Sequence, residues 1–208
     1  MIKGGEFLII GQEAKDIFIP EEFTEDQKMM ASATKEFVEK ELDPHREQFE
    51  KKDYKLTEDC MKKAGELGLL GIGVPAEYGG MGMPFNTSVL ICDRISGANG
   101  SFSTAFGAHT GIGTLPIQLY GDENQRKKYL PKLATGEWIS CYCLTEPGAG
   151  SDANSGKTRA VLTEVGKHYL ITGQKMWISN AGFADVFIVF ARIEDDKNIT
   201  AFILDKGM

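Results

Sequence analysis

The feature that most constrains this chain is a change of hydrophobic period near Gly136. Before it, apolar residues recur at helical spacing; from Trp138 onward they alternate. A period of 3.6 suits a helix with one buried face and a period of 2 suits a half-buried strand, so one layer cannot serve both halves. The expected fold class is α+β: an all-α helical bundle domain at residues 23–137, then an antiparallel β-barrel or sandwich domain at 138–208. Residues 1–22 read as an N-terminal extension.

In the first half, Thr24 and Gln27 form a capping box, and Met29, Met30, Ala33, Phe37, Val38 and Leu42 follow at helical spacing up to Pro44. Thr57 is expected to open a second helix in the same way. The run LGLLGIGVPAEYGGMGMP is broken by Gly and Pro and reads as a long surface connection. From Thr87 to Tyr120 the chain is apolar or small almost all round, as in buried central helices. Ser101, Ser103, Thr104, Ala105, Gly107, Ala108, Gly111 and Gly113 serve either close helix packing or a channel for a slender ligand. DENQRKKYLPKLATGE is the last helical pattern.

In the second half, WISCYCLT places Trp138, Ser140, Tyr142 and Leu144 on one strand face and Ile139, Cys141, Cys143 and Thr145 on the other. TRAVLTE, HYLITG, DVFIVFARI and TAFILD are further strands. Tight turns without intervening helices suggest an antiparallel meander.

Composition narrows the function. With 208 residues, 42% hydrophobic, the chain buries a substantial core, and its net charge of -7 gives no support to nucleic-acid or anionic-membrane binding. The longest early apolar run, residues 7–10, is far shorter than a signal peptide's core, and no run reaches the ~20 residues of a membrane-spanning helix, so the expected compartment is the cytoplasm or its equivalent. Cys60, Cys92, Cys141 and Cys143 lack CxxC spacing and lie far in sequence from the histidines, which favours reduced, mostly buried thiols over a zinc site.

LTEPGAGSDANSGKT, residues 144–158, nearly spells two phosphate loops. Gly148, Gly150 and Ala153 imitate the dinucleotide fingerprint, and Gly150, Gly156, Lys157 and Thr158 imitate the P-loop. Both need a helix N-terminus to hold phosphate, and here a β-branched strand follows instead. The P-loop spacing is also one residue too long. What remains is a strand end running into a Pro147–Gly148 turn. It is either a plain hairpin corner or a bend where glycine amides, Tyr142, Thr145 and Ser151 let a flat polar cofactor approach. QKMWISNAG repeats the theme, with Trp177 and Ser179 on one face of an expected strand.

These residues carry a resemblance. YCLTEPGAGSD, GQKMWISNAG and YGDENQRKKYLPKLATGEWIS closely resemble the acyl-CoA dehydrogenase family, from about Phe23 to the end. KGGEFLI and the FTED cap look more like its long-chain and very-long-chain members. The resemblance implies FAD as cofactor, acyl-CoA thioesters as substrates, an electron-transfer flavoprotein as electron acceptor, and a homodimer or homotetramer. It also implies that Tyr142, Cys143, Leu144, Thr145, Gly150 and Ser151 line the flavin, with Thr145 bonding its pyrimidine side and Ser151 reaching both cofactor and CoA. Trp177 would pack on the ring, Ile178 beside it, and Ser179, often Thr in the family, would donate to the ring nitrogen.

The reaction so implied is α,β-desaturation of fatty acyl-CoA in β-oxidation, with a Glu on a C-terminal helical domain as base. No Glu here matches that residue, so the 208-residue chain alone is expected to be inactive and to hold no catalytic residue. Glu146 is expected to support the turn or face the adjacent surface. Alternatives are an acyl-CoA oxidase or flavin monooxygenase on the same fold, or a non-catalytic binding module.

Overall fold

A computed structural model describes residues 6, 8–11, 13, 15 and 17–208. Lys3, Gly4, Gly5 and Phe7 of the KGGEFLI signal lie outside the described residues.

Among the described residues seven α-helices precede the first strand: α1 (Glu25–Phe37), α2 (Arg46–Glu50), α3 (Tyr54–Glu66), α4 (Phe85–Ser96), α5 (Gly100–Gly107), α6 (Leu115–Tyr120) and α7 (Glu123–Thr135). Thr24 caps α1 as expected: its hydroxyl accepts the Gln27 amide at 3.2 Å while Gln27 Oε1 accepts the Thr24 amide at 2.9 Å. Asp122 and Gln125 make the same reciprocal cap on α7, which ends on Gly136 at φ 73°. Thr57 does not open α3. Asp53 caps it by accepting the Leu56 amide at 3.0 Å, and Thr57 sits inside, its hydroxyl donating back to the Asp53 carbonyl. The earlier residue wins because an ionised carboxylate is the stronger acceptor for free helix amides.

Two other helical expectations change. The glycine-rich run is not a surface connection: Leu69, Leu70, Ile72 and Val74 are buried, and amides of Met81, Gly82 and Met83 donate to carbonyls of Gly71, Val74 and Ile72. Glycine permits this because a Cβ at Gly80 would lie 2.0 Å from the Val74 carbonyl oxygen. Nor is 87–120 buried all round, since Val89, Ile112, Leu119 and Tyr120 are exposed. The helical core gathers Leu42, Met61, Ile91 and Phe106 around Phe102, whose ring meets Phe49 at 5.6 Å and Phe37 at 6.2 Å.

The second half is one five-stranded sheet: β1 (Ser140–Cys143), β2 (Arg159–Leu162), β3 (Tyr169–Thr172), β4 (Val186–Ile193) and β5 (Ile199–Asp205). The α+β class holds, but the antiparallel meander is corrected. β4 is central, with β1 and β2 following one another along one edge, both parallel to it, and β5 antiparallel along the other. β3 pairs antiparallel with β2, and the sheet does not close. Only 163–168 and 194–198 are tight turns; the excursions 144–158 and 173–185 are long enough to bring the chain back in parallel. The expected strand around Trp177 is also absent, and those residues form turns within 173–185.

The two halves meet at His109, which is fully buried. It lies in a π-helical turn, Ala108–Gly113, between α5 and α6. The Ser140 amide donates to His109 Nδ1 at 3.1 Å, so the ring proton sits on Nε2, which donates to the Leu133 carbonyl at 3.0 Å. Thr114 Oγ1 donates to the His109 carbonyl at 2.7 Å. One imidazole thus joins the π turn, the end of α7 and the start of β1. Gly113 makes the approach possible: a Cβ there would lie 2.2 Å from Ser140 Oγ.

Burial, weakly opposed by the Leu133 bond, pulls the His109 imidazole down from its ordinary 6.5 to about 4. Its folded value lies below its unfolded one, so between those values the unfolded chain takes a proton that the folded chain refuses. Stability should therefore fall as pH drops from about 6.5 to 4, by roughly 3 kcal/mol in all. Urea midpoints across that window check this, and His109→Gln should flatten the slope while lowering the midpoint at pH 7. Gly113→Ala should cost about 1–3 kcal/mol by overpacking against Ser140, read from the same midpoints.

Candidate functional site

Where β1 ends, its strand residues face opposite ways. Tyr142 turns toward α7, its ring 4.9 Å from Phe190, in a groove of about 720 Å³ shared with Ile117, Tyr129 and Phe202. Cys143 turns the other way into a small core with Cys141, Ala184 and Val189. Tyr142 therefore borders the bend by its backbone, while its side chain is not gathered with Thr145 and Trp177. The four cysteines are unpaired thiols, and burial pushes Cys60 up to about 11.

Past Cys143 the chain bends. The Glu146 and Ala149 amides donate to each other's carbonyls at 3.0 and 3.1 Å, closing a turn around Pro147 and Gly148. Gly148, Gly150 and Ser151 are exposed, and a Cβ at either glycine would meet nothing within 4 Å. The bend thus offers bare backbone to whatever lies against it.

Its underside is held by a buried carboxylate. Glu146 Oε1 accepts the Thr158 amide at 3.0 Å and Lys175 Nζ at 2.7 Å, and Oε2 accepts the Lys157 amide at 2.5 Å. Burial pushes this carboxyl up, but Lys175 and the two amides outweigh it and bring it to about 2. Lys175 Nζ also donates to the Leu144 carbonyl at 3.0 Å, and the Met176 amide donates to the Thr145 carbonyl at 2.9 Å. Leu144 and Thr145 are thereby brought beside residues 175–177.

Trp177 emerges from this junction at φ 58°, and the residue is 85% exposed. A left-handed backbone costs a bulky residue roughly 1–3 kcal/mol and persists where the surroundings over-determine it. Ile178 and Ser179 turn inward to a cavity of about 670 Å³, shared with Phe49, Tyr54, Thr104 and Phe183. Asn180 then takes φ 70°, and its buried Nδ2 donates to the Ala105 carbonyl at 2.9 Å and the Ser140 carbonyl at 3.2 Å. Sequence reasoning did not single out Asn180; the SNAG turn, where Asn tolerates a left-handed backbone, was the available signal. Lys175 was also missed, because its partner lies far away in sequence.

A second cavity, of about 490 Å³, opens between the 69–74 run, α4 and the α5–π segment. Gly107 and Gly111 line it, and a Cβ on either would meet nothing within 4 Å. Among the described residues no helix is long and apolar enough to cross a membrane, and no group of three or more His, Cys, Asp or Glu is placed to hold a metal ion.

Comparison with known proteins adds to this geometry. Residues 24–137 match the family pattern described as acyl-CoA dehydrogenase, N-terminal domain, and residues 141–208 match acyl-CoA dehydrogenase, middle domain. A probable acyl-CoA dehydrogenase of Bacillus subtilis is 51% identical over 204 residues, covering 98% of this chain and 34% of that protein. Mitochondrial isovaleryl-CoA dehydrogenase of Pongo abelii is 37% identical over 191 residues, covering 89% of this chain and 45% of its own length. The crystal structure of a Bacillus anthracis acyl-CoA dehydrogenase complexed with FAD superposes with a TM-score of 0.95 at 48% identity, covering all of this chain and 36% of that one. This chain therefore spans between a third and a half of the length of these relatives. With residues 24–137 and 141–208 matching its N-terminal and middle domains, the chain belongs to the acyl-CoA dehydrogenase family.

Proposed function

We propose that this chain supplies the flavin-lining and acyl-lining parts of an FAD-dependent acyl-CoA dehydrogenase acting on fatty acyl-CoA thioesters in β-oxidation. The observation that carries the reading is Trp177: a large exposed aromatic residue on a left-handed backbone, beside a pinned bend of bare glycines. A flat aromatic cofactor covers such a ring and adds roughly 0.5–1.5 kcal/mol of stacking beyond burial.

The residues present fit FAD. Thr145, Ser151 and Ser179 supply hydroxyls, Gly150 leaves its amide open, and Cys143, Leu144 and Ile178 shape the floor. Ser151, exposed at the end of the bend, is read as also meeting the CoA portion of a substrate. Bound FAD would supply hydride acceptance from the β-carbon. This chain's own groups orient the ring, exclude water beneath it and offer hydroxyl donors at its polar edge.

Glu146 is not the base that removes the α-proton. Its carboxylate is buried beneath the bend, saturated by Lys175 and two amides, and held at a low pKa. A general base needs access to the proton it takes and a pKa near the working pH. The reading assigns the base to the C-terminal helical domain that the family resemblance implies, with the helical (23–137) and β (138–208) units contributing the rest of the site. Reoxidation by an electron-transfer flavoprotein, and assembly as a homodimer or homotetramer, complete the reading.

The cavity lined by Gly107 and Gly111 suits the acyl chain, and its volume favours a long one. Two outcomes test the whole. The purified full polypeptide should show a flavin absorption spectrum that bleaches on adding acyl-CoA without releasing hydrogen peroxide; a colourless preparation sinks the reading. Gly111→Leu, whose Cβ would meet nothing within 4 Å, should lower kcat/KM for palmitoyl-CoA relative to butyryl-CoA by about tenfold or more, a ratio in which the wild type should favour the longer substrate.

A further inference from the structure

Three segments converge on the Glu146–Lys175 pair: the end of β1, the start of β2 and the stretch leading to Trp177. Both side chains are largely removed from water, at 6% and 14% exposure. A buried ion pair is a poor device for stability alone, because desolvating both charges consumes most of what their attraction returns. A neutral polar pair could make the same bonds to the Lys157 and Thr158 amides and the Leu144 carbonyl and close the three segments together. What an ion pair adds is charge, placed in a poorly screened interior one residue from Thr145 on one side and two from Trp177 on the other.

We propose that Glu146 and Lys175 are a positioning pair for the cofactor, fixing the bend and the Trp177 arm against each other and holding the local charge neutral so that the flavin's reduction potential is set by the remaining contacts. The proposal rests on the FAD reading above. Neither residue touches the reacting atoms. Lys175 acts through the Leu144 carbonyl, and Glu146 acts through the amides of Lys157 and Thr158. Charge near a bound flavin tunes its electronics, so an uncompensated cation eases reduction and an uncompensated anion hinders it.

The test uses the full-length holoprotein and the variants Glu146→Gln, Lys175→Met and the double variant, with FAD dissociation constants, flavin midpoint potentials and urea midpoints measured on each. Glu146→Gln should move the potential positive and Lys175→Met should move it negative. The double variant should return it close to wild type. Each single change should weaken FAD binding by about tenfold or more. A purely structural role predicts lost stability with potentials that are unchanged or shifted in the same direction in both single variants, and that result overturns the proposal. If Lys175→Met does not fold, Glu146→Gln and the double variant carry the same test of sign: a positive shift that the second change fails to reverse also overturns it. A wild-type protein that binds no FAD overturns the cofactor reading itself, and a yellow protein with insensitive potentials overturns only the pair's role.

Discussion

The fold depends on a neutral imidazole kept out of water. His109 has two ring nitrogens and both are used, one accepting from the first residue of the sheet and the other donating to the last turn of α7. Because the two bonds point to different halves of the chain, the tautomer is fixed by the packing and the packing by the tautomer. Asn180 repeats the logic from the opposite side, spending one amide group on α5 and β1 at once. The helical half and the sheet are therefore indexed to each other by directional bonds as well as by apolar contact among Ile117, Leu130, Leu133, Val186 and Ile188.

That indexing matters for the candidate site because the site is assembled from parts with separate supports. The bend hangs from β1, the Trp177 arm leaves β3 and returns to β4, and the inner cavity borrows its wall from α2, α3 and α5. None of these would keep its distance from the others if β1 slid along the π turn. Gly113 removes a Cβ that would hold β1 off the π turn, and the Glu146 carboxylate then ties the loops beneath the bend.

Local rules read from the sequence served well where the deciding partner was near. The cap at Thr24, the strand runs of β2 to β5 and the rejection of two phosphate loops all rest on residues a few positions apart. The reading failed where the partner was distant or the backbone departed from a standard period. LGLLGIGV looked like a surface connection because glycines mask an apolar set that the tertiary fold buries. Trp177 and Ser179 alternate as a strand would, yet the positive φ of Trp177 and Asn180 makes that stretch a turn. Strand direction was illegible for the same reason: β1 finds β4 only after the bend, the β2–β3 hairpin and the tryptophan arm have intervened.

The central position of β4 also bears on how the chain comes to be folded. A ribosome releases the helices first, and their contacts are short in sequence, so the bundle can collapse while synthesis continues. β1 emerges next with no partner, since Val186–Val189 are made only after the whole of 144–185. During that interval Ser140 can already reach His109, which gives the nascent strand an anchor on a finished surface. The imidazole that joins the halves in the finished protein is thus also placed to hold the start of β1 against the finished helices until β4 pairs with it.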